Sequence, residues 1–275
     1  MDVERPAPDE DPRSVDELFL VALCESDEEI LWGAMYALHR RAAREILDRA
    51  LALCASACPF ERGRGADVLG RLGVPDPAYP EECLRTLLAM LEVETDAGAL
   101  ASVLFALGHQ SRGPAVAPAA RFRTHPDSEV RYAVVHVLSC IEETWAIEGL
   151  IELSRDPEPR IRDWSTFGLG SMTDADSPAI RDALSDRLAD EDFDTRSEAL
   201  IGLARRKDHR VVPALRDELA GECVGCLAVE AAAEIADPGL HPLLLALRAW
   251  WDVDVQGLET AIAACTPPSE SRIEV

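Results

Sequence analysis

The feature that most constrains this chain is a repeated pattern with a period near 31 residues. The segments "VRYAVVHVLSC", "IRDWSTFGLGS" and "TRSEALIGLAR" align with an arginine at the second position and a leucine seven residues later. Five further segments fit the same frame, and their anchors follow at spacings of 31, 38, 31, 31, 34, 29 and 31 residues: Leu31, Arg62, Leu100, Arg131, Arg162, Arg196, Gly225 and Gln256. A fixed period of this length predicts stacked supersecondary units.

Each unit is predicted to open with a helix. An acidic residue stands four positions before the anchor in six of the eight units: Asp27, Asp96, Asp127, Glu158, Asp192 and Asp252. Such a residue accepts the free N–H groups of a first helical turn and meets the positive end of the helix dipole. In "DPEPRIRDW" the prolines at 157 and 159 suit the same helix start.

A second helical pattern follows each first one. Apolar residues recur there at intervals of three and four, as in Ile147, Leu150 and Ile151, which indicates one buried stripe per helix. No strand-like alternation of useful length occurs. We therefore predict an all-α protein, a right-handed α-solenoid of about eight helix pairs, with about sixteen helices.

The unit resembles the short HEAT-like repeat first grouped with the phycobilisome lyases. The resemblance rests on an Asp, a Val/Ile-Arg pair and a small-residue run that ends in Leu-Gly or Leu-Ala, and it covers residues 27–265. It is weakest at residues 225 and 256, where the arginine is missing. It implies that the arginines form a structural ladder between repeats, together with the capping acids, and are not catalytic: Arg131, Arg162, Arg196, Asp127 and Asp192.

The predicted domain organisation is one solenoid with a tail at each end. Residues 14–265 form the repeats, residues 1–13 are predicted to be a disordered acidic tail, and residues 266–275 a flexible C-terminal tail. Both tails are rich in proline and polar residues.

The charge of the chain bears on its partners. The formal net charge is −24, so the average surface repels phosphate and nucleic acid is disfavoured as a partner. The charge is uneven, because residues 30–71 hold seven arginines against four acidic residues, whereas residues 141–198 hold sixteen acidic residues against six basic ones. An acidic surface favours a basic protein as partner.

The sequence also bounds compartment and assembly. No apolar run approaches the roughly 18 residues of a membrane helix, and no leader peptide is visible, so we expect a cytoplasmic protein. The eight cysteines are then expected to be reduced. A monomer is the default expectation.

We find no constellation that predicts catalysis. The HEAT-type deoxyhypusine hydroxylases bind iron through His-Glu dipeptides, and none of the six histidines here is followed by glutamate. Cys223 and Cys226 have the spacing of half a zinc site, but no second CxxC completes it. We therefore predict a non-enzymatic protein without metal or cofactor.

The candidate site lies on the second helices of the middle repeats, which line the concave wall in HEAT-like solenoids. Trp145 shares one helix face with two glutamates, an aromatic residue set among acidic ones. The predicted partner-binding residues are Trp145, Glu148, Glu152, Asp182, Asp186 and Asp217. We expect two other tryptophans, Trp32 and Trp164, to lie at least partly in the core.

Three functions remain open. The first is a scaffold, an adaptor or an immunity-type partner of a basic toxin, which uses an acidic groove to bind a basic protein. The second, implied by the resemblance, is a bilin lyase-like subunit that acts on a phycobiliprotein. The third is a HEAT-like DNA glycosylase, which requires a basic concave face.

Overall fold

The structure, a computed structural model, describes residues 11–110 and 113–268. These residues form helices, turns and loops, with no strand among them. They fall into two compact units, unit 1 over residues 1–138 and unit 2 over residues 139–275. Residues 1–10 and 269–275, which make up most of the two predicted tails, lie outside the described residues.

Unit 1 contains seven α-helices and an 11-residue 3₁₀ helix in the part that the structure describes. In chain order they are α1 (Val15–Cys24), α2 (Glu28–Arg41), α3 (Arg44–Cys54), α4 (Pro59–Gly70), α5 (Pro80–Val93), α6 (Ala97–Gln110), the 3₁₀ helix Pro114–Thr124 and α7 (Ser128–Leu138).

Unit 2 contains eight α-helices and one 3₁₀ turn among its described residues. They are α8 (Thr144–Leu153), α9 (Pro159–Gly170), α10 (Pro178–Arg187), α11 (Phe193–Arg205), α12 (Val211–Leu219), α13 (Cys226–Ile235), the 3₁₀ turn Pro238–Leu240, α14 (His241–Leu247) and α15 (Val255–Ala264).

Successive first helices pack side by side within each unit. In unit 1, α6 lies between α4 and α7, and in unit 2 the order is α9, α11, α13 and α15. The leucines seven residues after the anchors are fully buried at these contacts: Leu69, Leu138, Leu169 and Leu203. Burial of a leucine side chain contributes about 2 kcal/mol, so this leucine stabilises each of the four repeats that carry the anchor arginine. The predicted all-α fold class is confirmed.

The predicted caps are found at four of the six acidic residues. Asp27, Asp96, Asp127 and Asp192 each accept a backbone N–H of the first helical turn that follows. Glu158 stands at the N-cap of α9 without a side-chain capping bond. Its own N–H donates to the Asp156 carboxylate at 2.9 Å.

The predicted frame is wrong in the last two repeats. The N-caps of α13 and α15 are Gly225 and Asp254, so the equivalents of the anchor are Val229 and Leu258 rather than residues 225 and 256. Both side chains are buried, as the apolar anchors of the early repeats are. These two repeats lack the arginine that fixes the register, so their small residues fit the repeat pattern equally well at positions shifted by four and by two residues.

Two second helices also differ from the prediction. The segment after α6 is a 3₁₀ helix with Pro118 inside it, and proline lacks the N–H that an α-helix needs at that position. The sequence pattern predicts that the last second helix extends through Trp250 and Trp251, but helix α14 ends at Leu247 and both residues follow it. Trp251 is buried and Trp250 is half exposed.

Small residues allow the first helices to cross closely. A Cβ atom at Gly202 would lie 2.8 Å from the Cα atom of Gly170, and one at Gly70 would lie 2.8 Å from the Cα atom of Ala106. Real Cβ atoms do not approach backbone so closely, so each crossing requires glycine. One such crossing lies in each unit.

Candidate functional site

The anchor arginines share one geometry. In each of the four repeats that carry one, the Nη1 atom donates to the backbone carbonyls five and six residues earlier, at 2.7 to 3.2 Å. The residues are Arg62, Arg131, Arg162 and Arg196. Each arginine therefore ties its helix to the loop before it.

Arg62 and Arg162 also bind a carboxylate of the next repeat through both oxygens. Arg62 contacts Glu94 at 2.7 and 2.8 Å, and Arg162 contacts Asp190 at 2.8 Å on both oxygens. The two carboxylate side chains are 3% and 4% exposed. The arginine lowers the pKa of Glu94 to about 2. Both guanidinium groups are thus committed to holding successive repeats together.

The predicted partner-binding residues on α8 face solvent to different degrees. Trp145 is half-buried, whereas Glu148 and Glu152 are exposed. The three residues follow one another at intervals of three and four, which places them on one face of the helix.

Two of the predicted carboxylates on α10 are already paired with arginines of neighbouring repeats. Asp186 lies 3.2 Å from Arg155, and Asp182 lies 2.8 Å from Arg210. Sequence reasoning missed these two cations. Asp217 on α12 is exposed. We call the six predicted residues on α8, α10 and α12 the acidic face.

A separate cleft of about 320 Å³ lies on the first helices of unit 2, where the sequence predicted no site. Carboxylates from two helices line it, Asp163 from α9 and Asp194 and Glu198 from α11, and the ring of Phe193 and the start of α13 complete the wall. We call it the acidic cleft. Phe193 is 41% exposed.

Burial and mutual repulsion raise the pKa of two of these carboxyls. The pKa of Asp163 rises to about 6 because of desolvation and the charges of Asp194 and Asp192. The pKa of Glu198 rises to about 7, mainly through desolvation.

The groups around Glu198 act in both directions. The Ser171 hydroxyl donates to it at 3.2 Å and lowers its pKa, whereas the charges of Asp163 and Glu230 raise it. Arg205 lowers it, but Arg205 is itself paired with Glu230 at 2.9 Å. The nearby cations therefore do not offset the burial and mutual repulsion of these carboxyl groups, which are not fully ionised at neutral pH.

The sequence does not reveal this cleft, because the residues that line it come from repeats about 30 positions apart. The rings of Trp32 and Trp164 are 52% and 43% accessible, which is more exposed than the at least partial core packing that we expect from the sequence. Both lie shortly after the anchor of a first helix, on a turn that faces outward.

Two broader properties concern the described residues as a whole. No group of three or more His, Cys, Asp or Glu side chains among them is arranged to hold a metal ion. No helix in the same residues is both long and apolar enough to cross a membrane.

Comparison with known proteins finds matches to HEAT-repeat sequences and to a protein of similar fold. Residues 147–234 match a protein-family model described as HEAT repeats. Protein YibA of Escherichia coli strain K12 is 38% identical over 117 residues, and YibA of strain O157:H7 matches equally. That alignment covers 42% of this chain and 41% of YibA, so it spans about two fifths of the length of these curated relatives.

The structural likeness extends further. The X-ray structure of E. coli YibA superposes with a TM-score of 0.78 at 26% identity and covers 93% of both chains. A crystal structure of an engineered protein superposes with a TM-score of 0.56 at 18% identity, over 91% of this chain and 77% of the other, and shows likeness of fold alone. The helix pairs recur at the HEAT spacing and the fold is shared with YibA, so the chain has a HEAT-like repeat fold, and residues 147–234 carry the match to the HEAT-repeat family.

Proposed function

We propose that the chain is a non-enzymatic protein-binding module, a scaffold, an adaptor or an immunity-type partner, whose unit 2 binds a basic protein. The observation that carries the proposal is the accumulation of carboxylates on unit 2 beyond what its own cations neutralise. Residues 139–275 contain 28 Asp and Glu against 13 Lys and Arg, a formal charge of −15.

The acidic face offers contacts of the right kind. Glu148 and Asp217 are exposed, and neither is ion-paired with a described residue. Asp182 and Asp186 bind their arginines at half-exposed positions, where an ion pair contributes at most about 1 kcal/mol. A cation from a partner can therefore displace either arginine at little cost, and Trp145 would supply apolar contact beside it.

The acidic cleft supports the same partner chemistry. A guanidinium or ammonium group between Asp163 and Glu198 would lower the pKa of both and offset their repulsion. The ring of Phe193 at the rim can pack against the cation or its aliphatic stem.

The test compares three double variants of the immobilised full-length chain. One changes the acidic face (Glu148→Lys, Asp217→Lys), and one changes the acidic cleft (Asp163→Asn, Glu198→Gln). A third changes two exposed acids outside both (Glu222→Lys, Asp252→Lys) and matches the first in net charge. Proteins retained from a lysate of the source cells are identified by mass spectrometry, and the strongest candidate is purified for measurement of Kd.

The expected partner is basic and binds at least tenfold more weakly at about 300 mM than at about 50 mM salt. The face variant should lose binding while the matched control keeps it. Loss in the cleft variant alone would move the site to the acidic cleft. Equal binding by all variants, or binding that ignores ionic strength, would refute the proposal, and a coloured product on co-expression with a bilin would favour the lyase alternative.

A further inference from the structure

Unit 1 carries a second cleft, on its first helices, that the proposed function does not use. It has a volume of about 410 Å³ and lies between α2, α4 and α6. The residues that define it are Trp32, Arg64, Arg71, Ser102 and Phe105. We call it the basic cleft. Its volume lies in the range of pockets that hold small organic ligands.

Arg64 is held in place before any ligand arrives. Its guanidinium lies 5.0 Å from the centre of the Phe60 ring, and its Nη1 atom lies 3.2 Å from Asp67. Its Nε atom is buried and has no acceptor among the described residues. The guanidinium is therefore held in orientation, and its Nη atoms, not the buried Nε atom, are the donors left for a ligand.

The charge of the cleft is positive. Arg71 is exposed and forms no ion pair with a described residue. Asp67 is the acidic residue of the lining and lies 3.2 Å from Arg64, and burial raises its pKa, so two arginines face one carboxyl group. His39 is buried, and desolvation lowers its pKa to about 4, so it stays neutral at physiological pH.

Aromatic rings supply the apolar part of the lining. Trp32 is 52% exposed, an unusual position for the largest side chain. Phe105 is fixed from behind, because its ring packs edge-on against Tyr132 at a centroid distance of 5.8 Å. A planar ligand can therefore lie against Phe105, whose position is set by the fold, and beside the exposed ring of Trp32.

We infer that the basic cleft binds a small planar aromatic anion, a ring that carries a carboxylate or a phosphate. The guanidinium groups of Arg64 and Arg71 bind the anionic group, and the ring lies against Trp32 and Phe105. Arginine suits both anions, because its donors match two oxygens at once. This binding is independent of the basic protein partner proposed for unit 2.

The experiment is isothermal titration calorimetry of the full-length chain with four probes. Adenosine 5′-monophosphate and indole-3-acetate each combine a ring with an anion, adenosine has the ring alone, and inorganic phosphate has the anion alone. At least one ring-bearing anion is expected to bind with a Kd below about 1 mM, at least tenfold tighter than adenosine or phosphate. Which of the two binds distinguishes a phosphate from a carboxylate ligand.

Two matched variant pairs locate the binding. Arg71→Ala should weaken it about tenfold, whereas Arg85→Ala, at an exposed arginine of α5 outside the cleft, should leave Kd unchanged. Trp32→Ala should weaken it, whereas Trp164→Ala, at an exposed tryptophan of unit 2, should not.

The inference is overturned if neither ring-bearing anion binds below about 5 mM, or if binding persists unchanged in both Arg71→Ala and Trp32→Ala. Because Arg71 and Trp32 are exposed, their variants are expected to fold, and circular dichroism at 222 nm verifies this.

Discussion

The basic cleft of unit 1 and the acidic cleft of unit 2 are built on equivalent helices and carry opposite charge. Each is lined by consecutive first helices of the repeat, with an exposed aromatic ring in its wall, Trp32 in one and Phe193 in the other. The basic cleft presents Arg64 and Arg71, whereas the acidic cleft presents carboxylates. The same architecture therefore supports two kinds of ligand chemistry.

The contacts that hold neighbouring repeats together are of the same kind in both units, unlike the charges of the two clefts. Each unit has an arginine bound to a buried carboxylate one repeat further on, and each has one close crossing of first helices at glycine. The difference between the clefts lies in side chains that face solvent. Binding chemistry in this protein can thus change without a change in the scaffold, as in other folds that host unrelated sites.

The largest expected effects on stability come from the anchor arginine that pairs with a buried carboxylate, Arg62 in unit 1 and Arg162 in unit 2. Arg62→Ala leaves the buried carboxylate of Glu94 without its cation, and Arg162→Ala leaves Asp190 with Arg187 at 3.1 Å as a remaining partner. We expect a loss of about 2 kcal/mol in the free energy of unfolding for Arg162→Ala and a larger loss for Arg62→Ala. Urea denaturation followed by circular dichroism at 222 nm measures both.

The control for this pair is Arg196→Ala. Arg196 donates to two backbone carbonyls and forms no carboxylate ion pair with a described residue, so its loss should cost only about 1 kcal/mol. The pKa of Glu94 is lowered to about 2 in the folded chain, so its contribution is present above the unfolded pKa and is lost as pH falls toward 2. The effect of Arg62→Ala should shrink over that range, and a constant effect would show that the pair is not its cause.

A smaller loss is expected at the helix crossings. Gly202→Ala places a Cβ atom 2.8 Å from the Cα atom of Gly170 and should cost about 1.5 kcal/mol, and Gly70→Ala in unit 1 should cost a similar amount. Gly33→Ala is the matched control, because nothing lies within 4 Å of its new Cβ atom on helix α2. It should stabilise the chain by about 0.5 kcal/mol. Unequal losses in the two units would contradict a shared scaffold.

The sequence predicted this scaffold well because the signals that define it are local. A capping aspartate, an anchor and a buried leucine lie within about twelve residues of one another, as in Asp127, Arg131 and Leu138. Where the local signal is absent, the prediction is wrong, as for the last two repeats and for the 3₁₀ helix around Pro118.

The clefts were not predictable by the same means. Arg64 and Ser102 lie 38 positions apart in the chain, and Asp163 and Glu198 lie 35 apart, so only the packing of neighbouring repeats brings them together. The arginine partners of the acidic face were missed for the same reason, since Arg155 pairs with Asp186 across 31 positions.

The acidic cleft should make the stability of the chain depend on pH near neutrality, through Glu198. The folded pKa of Glu198 is about 7, above its unfolded value, so its contribution is most favourable at low pH and is lost as pH rises through 7. Glu198→Gln should therefore stabilise the chain by about 1 kcal/mol at pH 8 and change little at pH 5. Urea midpoints at the two pH values test this, with Glu191→Gln at an exposed position as control. A gain at pH 5 equal to that at pH 8 would exclude ionisation as the cause.

The smallest expected effect is a difference in thiol reaction rates, which compares the electrostatic potential in the two clefts directly. Cys226 lines the acidic cleft, and Ser102→Cys would place a thiol in the basic cleft. The other accessible cysteines are replaced by serine so that they do not react. The buried thiols of Cys54, Cys83 and Cys265 can stay, because desolvation raises their pKa values to between about 11 and about 12 and they should not react in the folded chain.

The ratio of two reaction rates then reports the field at each thiol. Dithionitrobenzoate is an anion and iodoacetamide is neutral, so dividing the first rate by the second cancels differences in thiol exposure and pKa to first order. The ratio should be about threefold lower at Cys226 than at the introduced Cys, and the difference should fall as salt is added. If the two ratios are equal at low salt, the clefts do not differ in the field that a ligand meets, and charge cannot be what assigns a basic partner to one and an anion to the other.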